Sequence, residues 1–150
     1  MSRPDNSAQV AALYQEMILD HYRRPRNKGT LENADATVEM KNPLCGDEIA
    51  VQVAFDGESV RDLRFSGRGC SISQASASMM TQLVKGKSAD EIQQIWKLFR
   101  ELMLGDSSAA ADERLKSLRP LSGVARFPAR VKCALLAWNA LESALARRSV

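Results

Sequence analysis

The sequence predicts an α+β fold, a small antiparallel three-stranded sheet with helices packed on one face. Three observations predict it. Large apolar residues recur at every second position in Ile49, Val51, Val53 and Phe55. Apolar residues at three-to-four spacing fill the segments on either side. The strand-like runs are also grouped instead of alternating with helices, which argues against a parallel sheet.

The first element is a helix. Val10, Leu13, Tyr14, Met17, Ile18 and His21 recur at helical spacing, Arg23 and Arg24 suit its negative end, and Pro25 stops it. PRNKG then makes a turn. Thr37 to Met40 reads as a short strand. Ile49, Val51, Val53 and Phe55 alternate with Ala50, Gln52, Ala54 and Asp56 as a half-buried strand, and Asp56-Gly57 turns the chain into its hairpin partner, Val60 to Phe65. RFSGRG reads as a turn. A second helix follows, with Ile72, Ala75, Ser76, Met79, Met80 and Leu83 on one stripe, and Lys85-Gly86-Lys87 ends it. Ser88 followed by Glu91 is a capping box for the next helix. That helix carries Ile92, Ile95, Trp96, Phe99 and Met103 on its apolar face, and Gly105 closes it. The polar stretch from Gly105 to Arg126 predicts one short helix around Asp112 to Leu118. Pro128 suits the first turn of the last helix, whose buried stripe is Ala134, Trp138, Leu141 and Leu145.

At 150 residues the chain suits one domain, 1–150, with a real core. A net charge of +3, mixed in sign along the chain, argues against nucleic acid as a partner. No apolar run is long enough to span a membrane, and MSRPDNSAQV has no apolar signal core, so the expected location is the cytoplasm. Structural disulfides are disfavoured there, and three cysteines is an odd number.

Each cysteine falls at a junction. Cys45 precedes a strand, two residues before Asp47. Cys70 opens the Ile72 helix, and Cys133 lies in the first turns of the last helix. A helix N-terminus favours a thiolate at Cys70 and Cys133. Two readings stand side by side. The three are small core residues, since free cysteine is usually buried. Alternatively, three thiolates and the Asp47 carboxylate complete a tetrahedral Zn²⁺ shell. There is no C-x-x-C pair to indicate a zinc ribbon or a dithiol redox motif. His21 reads as a half-buried helix-terminal histidine, not a ligand.

ILDHYRRPRNKG, NPLCGDEI, SGRGCSISQASASMM and FPARVKCALLAWNAL together resemble the SufU branch of the IscU/NifU N-terminal family of iron–sulfur assembly proteins. The likeness runs from about Leu13 to Ala146. It implies an α+β fold and a metal site of Cys45, Asp47, Cys70 and Cys133. The segment from Gly105 to Arg126 marks the SufU branch. Lys132 stands where the IscU branch has a ligand-capable histidine, and Phe127-Pro128-Ala129-Arg130-Val131 replaces its Leu-Pro-Pro-Val-Lys chaperone motif. The resemblance therefore implies a zinc-dependent sulfurtransferase. It would accept persulfide sulfur from a SufS-type cysteine desulfurase and pass it to a downstream Fe–S scaffold.

Within that scheme Cys45 is the expected acceptor, because it sits on a loop while Cys70 and Cys133 are held at helix starts. A desulfurase histidine is expected to replace it on zinc. Arg68, Arg126, Arg130 and Lys132 are expected to relieve the site's charge or to contact the partner. Two alternatives remain: a scaffold carrying a transient Fe–S cluster, and a binding protein in which zinc is structural. Tyr14, Asp20, His21, Tyr22 and Arg26 have no chemical role beyond packing and turn formation.

Overall fold

The computed structural model describes residues 7–147. Part of the MSRPDNSAQV stretch, and so the ends of the 1–150 domain, lie outside those residues. The element order is α1 (Ser7–Arg23), β1 (Ala36–Asn42), β2 (Asp47–Asp56), β3 (Ser59–Arg68), α2 (Ser71–Val84), α3 (Ala89–Met103), two 3₁₀ helices (Ser107–Ala111 and Glu113–Arg126) and α4 (Pro128–Ala146). The strands form an antiparallel meander in the order β1-β2-β3. This is the fold class that the alternation pattern predicted.

Alternation sets the two faces of the sheet. Val38, Ile49, Val51, Val53, Leu63 and Phe65 are buried, while Glu39, Lys41 and Arg61 are exposed. A register shift at Ala54/Phe55 breaks the pattern. Ala54 is therefore buried and Phe55 only half-buried, the reverse of what strict alternation predicts. Gly57, at φ 61, takes the first position of a two-residue turn between Asp56 and Ser59.

RFSGRG is not a turn. β3 continues through Arg68 and pairs Gly67 with Ile49. Gly67 is required there: a Cβ would lie 1.9 Å from the Glu48 carbonyl oxygen. The strand therefore delivers the chain directly to Cys70.

α2 is the central helix. The sequence predicts one apolar stripe, yet Ser73 to Thr81 are all buried. Small residues make this possible, because Ala75, Ser76, Ala77 and Ser78 let α1 and α4 approach closely. Ser76 satisfies its buried hydroxyl on the Ala134 carbonyl of α4 at 2.6 Å. α4 also packs across β1 and β2. Trp138 of α4 stacks on Trp96 of α3 at 5.8 Å and tilts against Phe99 at 5.3 Å.

Two other expectations change. Val10, Leu13 and Met17 of α1 are exposed, and burial begins to build only around Tyr14 and Ile18. The other departure is the stretch after Gly105, where a short helix was expected. It forms a 14-residue 3₁₀ helix whose buried leucines, Leu115, Leu118 and Leu121, recur every third residue with Val124. A three-residue period is the period of a 3₁₀ turn, so one stripe faces the core. The tertiary contacts thus hold a helix type that is rarely stable at such length.

The N-terminal block finds a role in packing. Arg26 pairs with Asp20 at 2.8 Å, and its backbone N–H donates to Ser78 Oγ at 2.8 Å. The carbonyl of Asn27 (φ 58) accepts from the Phe65 N–H, and the Gly29 N–H donates to the Phe65 carbonyl, laying PRNKG beside β3. Among the described residues no helix is long and apolar enough to cross a membrane.

Candidate metal centre

The hairpin between β1 and β2 places two of the expected ligands. Asn42 and Asp47 are cross-strand partners, so the loop holds only Pro43, Leu44, Cys45 and Gly46. The Asn42 side chain folds over it, with Oδ1 accepting from the Leu44 N–H at 3.2 Å and the backbone oxygen from the Cys45 N–H at 3.2 Å. Gly46 is at φ 69, a conformation that returns the chain to β2. Leu44 is 80% exposed, Cys45 is half-buried, and Asp47 is 1% exposed.

The other two cysteines come from helices. Cys70 is the N-cap of α2, and its sulfur accepts from the Ser73 N–H at 3.5 Å. Cys133 lies in the second turn of α4 and is fully buried.

The fold brings these positions together. Cys45 Sγ lies 3.0 Å from Cys133 Sγ. The ligand atoms of Cys45, Asp47 and Cys133 all lie within 4.8 Å of one another. Cys70 adjoins that group through Asp47: its N–H donates to Asp47 Oδ1 at 2.9 Å, and its sulfur lies 4.0 Å from Oδ2. Gly69 makes the approach possible, since a Cβ there would sit 2.4 Å from Asp47 Oδ1.

The helix-dipole argument fails for Cys133. Burial pushes its thiol well above the ordinary range, and hydrogen bonds with Cys45 and Asp47 and the neighbouring Cys70 push the same way. Cys133 is past the free N–H groups of the first turn, so desolvation wins. A buried thiol among two more thiols and a carboxylate is an environment that a cation would relieve. Thiolate and carboxylate are donor types that tetrahedral zinc accepts, and the 3.0 Å Cys45–Cys133 separation is shorter than the roughly 3.8 Å that two ordinary Zn–S bonds span, so that pair would have to open to hold the metal.

The basic residues are less committed. Arg68 faces Glu48 at 3.8 Å, so its charge is shared with that carboxylate. Arg126, Arg130 and Lys132 are exposed near the start of α4. His21 sits at the junction of α1 and α2, with Nδ1 2.7 Å from Ser78 Oγ, and is not in the ligand group. Burial, then the nearby Arg26, lowers its pKa.

Sequence reasoning placed Gly69 beside Cys70 as a residue that lets the backbone fold tightly, and missed Asn42, whose only signal was its place at the head of the NPLCGDEI block.

Residues 13–148 match the family described as the NifU-like N terminal domain. The chain is 46% identical to the zinc-dependent sulfurtransferase SufU of Bacillus subtilis, over 94% of this chain and 95% of that protein. It is 44% identical to the iron–sulfur cluster assembly scaffold protein IscU of Streptococcus pyogenes, over 90% of this chain and 84% of the relative. Among solved structures, the N-terminal part of a NifU-like protein from Brucella abortus superposes with a TM-score of 0.82 at 25% identity, over 92% of this chain and 95% of the other.

Proposed function

The chain belongs to the NifU-like N-terminal domain family, in its SufU/IscU group, and from that premise we propose that it is a zinc-dependent sulfurtransferase taking persulfide sulfur from a SufS-type cysteine desulfurase. The sulfur would pass on to an Fe–S scaffold. One observation carries the reading. A single donor group combines a loop-borne thiol, Cys45, with a thiol locked inside a helix, Cys133.

Cys45, Asp47, Cys70 and Cys133 would hold the zinc. When bound, it keeps their thiols deprotonated at neutral pH. The division of labour among the residues follows from their mounting. Cys133 is fixed by α4, Cys70 by the first turn of α2, and Asp47 by β2 and the Cys70 N–H. Cys45 hangs on the four-residue loop, between exposed Leu44 and Gly46. It is the donor that can leave the metal without unfolding a helix or strand.

Sulfur transfer then needs one bond made and one broken. The Cys45 thiolate attacks the outer sulfur of the partner's Cys–S–SH. A new S–S bond forms at Cys45, the partner's S–S bond breaks, and the partner's cysteine leaves as a thiolate. No net oxidation occurs, and the persulfide proton stays with the transferred sulfur. The protein partner brings its own enclosure, so the acceptor must be reachable more than it must be enclosed. Two open recesses among the described residues, one beside Lys41 and Glu48 and one beside Asp20 and His21, include none of the four proposed ligand side chains.

Incubation with a cysteine desulfurase and cysteine under anaerobic conditions, followed by mass spectrometry of the cysteine peptides, tests the proposal. One added sulfur on Cys45 is expected. Desulfurase turnover without sulfur on Cys45 would refute it. The scaffold alternative has its own support, since three thiols and a carboxylate also suit an Fe–S cluster and the Streptococcus relative carries the scaffold name. Anaerobic reconstitution with iron and sulfide distinguishes it through a stable visible absorption band.

A further inference from the structure

Asn42 has one polar group that the fold leaves without a partner. The residue is 7% exposed at the end of β1, and its Nδ2 is enclosed with no hydrogen-bond acceptor among the described residues. Buried amide donors are almost always satisfied, so an orphan at a site asks for an explanation. The amide cannot be turned over to remove it. Oδ1 accepts from the Leu44 N–H at 3.2 Å, and an amide nitrogen in that place could not accept.

The orphan's position is informative. Asn42 is directly opposite Asp47, and paired residues project on the same face of a sheet. Both are buried on that face. The same amide grips the loop that carries Cys45, whose backbone N–H closes on Asn42 O. The free N–H₂ therefore lies beside the Cys45 loop, on the sheet face that Asp47 shares, with no donor sulfur or carboxylate bonded to it in this structure. It is a neutral donor in a place where negative charge is gathered.

We propose that Asn42 is a positioning residue for sulfur acceptance: Oδ1 pins the Pro43–Gly46 loop, and Nδ2 donates a hydrogen bond to the sulfur on Cys45 when the loop presents it for transfer. The inference rests on the assignment of Cys45 as the acceptor. A thiolate released from a cation, or a persulfide anion formed on it, gains from a fixed donor that pays no reorganisation cost at the moment of reaction. The donor is already buried and unused, so only the Cys45 side chain has to move to meet it.

Inorganic tetrasulfide serves as the probe, with imidazole added to take the zinc position that Cys45 vacates, so that no partner protein enters the test. The Cys45 thiolate takes one sulfur from S₄²⁻ and releases S₃²⁻, with charge and atoms conserved. The zinc-loaded wild type, Asn42→Asp and Asn42→Ala are compared. Asn42→Asp keeps an acceptor for the Leu44 N–H but loses the donor and adds a charge. Asn42→Ala loses both groups and adds none. Loss of the donor is common to the two.

Both variants are expected to load Cys45 on the order of tenfold more slowly than wild type, the low end for one hydrogen bond to an anionic group. Both are also expected to keep one zinc, measured by release to a colorimetric chelator. Wild-type loading rates in either variant would overturn the inference, and so would loss of zinc from both, which would make Asn42 merely structural. A second measurement needs no variant. In ¹⁵N-labelled wild type, the Asn42 side-chain amide protons are expected to move downfield when Cys45 is loaded, and an unchanged resonance would overturn the inference. If wild type takes no sulfur on Cys45 from tetrasulfide and none from a cysteine desulfurase with cysteine, the acceptor assignment fails instead.

Discussion

Replacing Gly69 with alanine should loosen the metal centre from outside the ligand set. The added methyl would lie 2.4 Å from Asp47 Oδ1 and 2.3 Å from Ser73 Oγ. The serine can rotate away, giving up its 3.1 Å bond to the Cys70 carbonyl. The carboxylate has less freedom, because Asp47 is 1% exposed and its Oδ1 holds the Cys70 N–H at 2.9 Å. Even the shortest tolerable contact requires Oδ1 to retreat by about 0.6 Å, which takes a hydrogen bond of this length to the edge of the bonding range. Losing one hydrogen bond to a charged group costs about 1.5–3 kcal/mol, and overpacking alone costs about 1–3 kcal/mol. These overlap, since one displacement causes both, so a total near 2–3 kcal/mol is expected. Zinc affinity should fall by roughly 10–100-fold, as when a ligand's supporting contacts are removed. The assays are urea denaturation of the metal-free protein and zinc competition against a chelator of known affinity. Gly46→Ala is the comparison. Its φ of 69 penalises alanine by about 1–2 kcal/mol through the backbone, yet nothing lies within 4 Å of the new methyl. A Gly69→Ala protein that binds zinc within twofold of wild type would refute the steric argument.

The other predictions test separate parts of the structure. Cys45→Ala should retain most of its zinc while accepting no sulfur, whereas Cys133→Ala should lose the metal, both checked by metal analysis and peptide mass spectrometry. Leu118→Ala, in the long 3₁₀ helix and 0% exposed, should cost about 2–5 kcal/mol in urea denaturation. Leu104→Ala, 76% exposed, should stay within about 0.5 kcal/mol. His21 is held neutral in the folded protein by burial, then by Arg26, so its folded pKa lies below the ordinary 6.5. The protein therefore keeps the full contribution of neutral His21 above pH 6.5 and loses it as pH falls through the lower folded value. His21→Gln should flatten the stability–pH profile in that window, as read from thermal denaturation.

Local chemistry made much of this protein legible in advance. Strict alternation identified β2 and its hairpin partner because a half-buried strand must present every second residue to the core. Ser88 and Pro128 marked the starts of α3 and α4 because a side-chain cap and a missing N–H are needed there and almost nowhere else. The four proposed ligand positions came from blocks of sequence that resembled a family, since spacing alone could not tell a cluster of thiols from three core cysteines. Where sequence reasoning erred, the missing quantity was distance between elements. Nothing local in RFSGRG shows that Gly67 is flat against the Glu48 carbonyl, so the run looked like a turn.

The 3₁₀ segment was misread for a similar reason. Leu115, Leu118 and Leu121 have the spacing of a three-residue period, but only packing against the core makes that weak helix worth forming. Cys133 is the clearest case. Its place near a helix start argued for an easily ionised thiol, and desolvation by the surrounding core reversed the sign. The sequence by itself determined which donors this chain possesses and which elements carry them, because those depend on neighbours along the chain. Only the tertiary structure decided that Cys45 stands 3.0 Å from Cys133, that Gly69 leaves room for Asp47, and that Asn42 keeps an unused donor beside the loop. Those depend on packing between residues far apart in sequence, where burial outweighs every local preference.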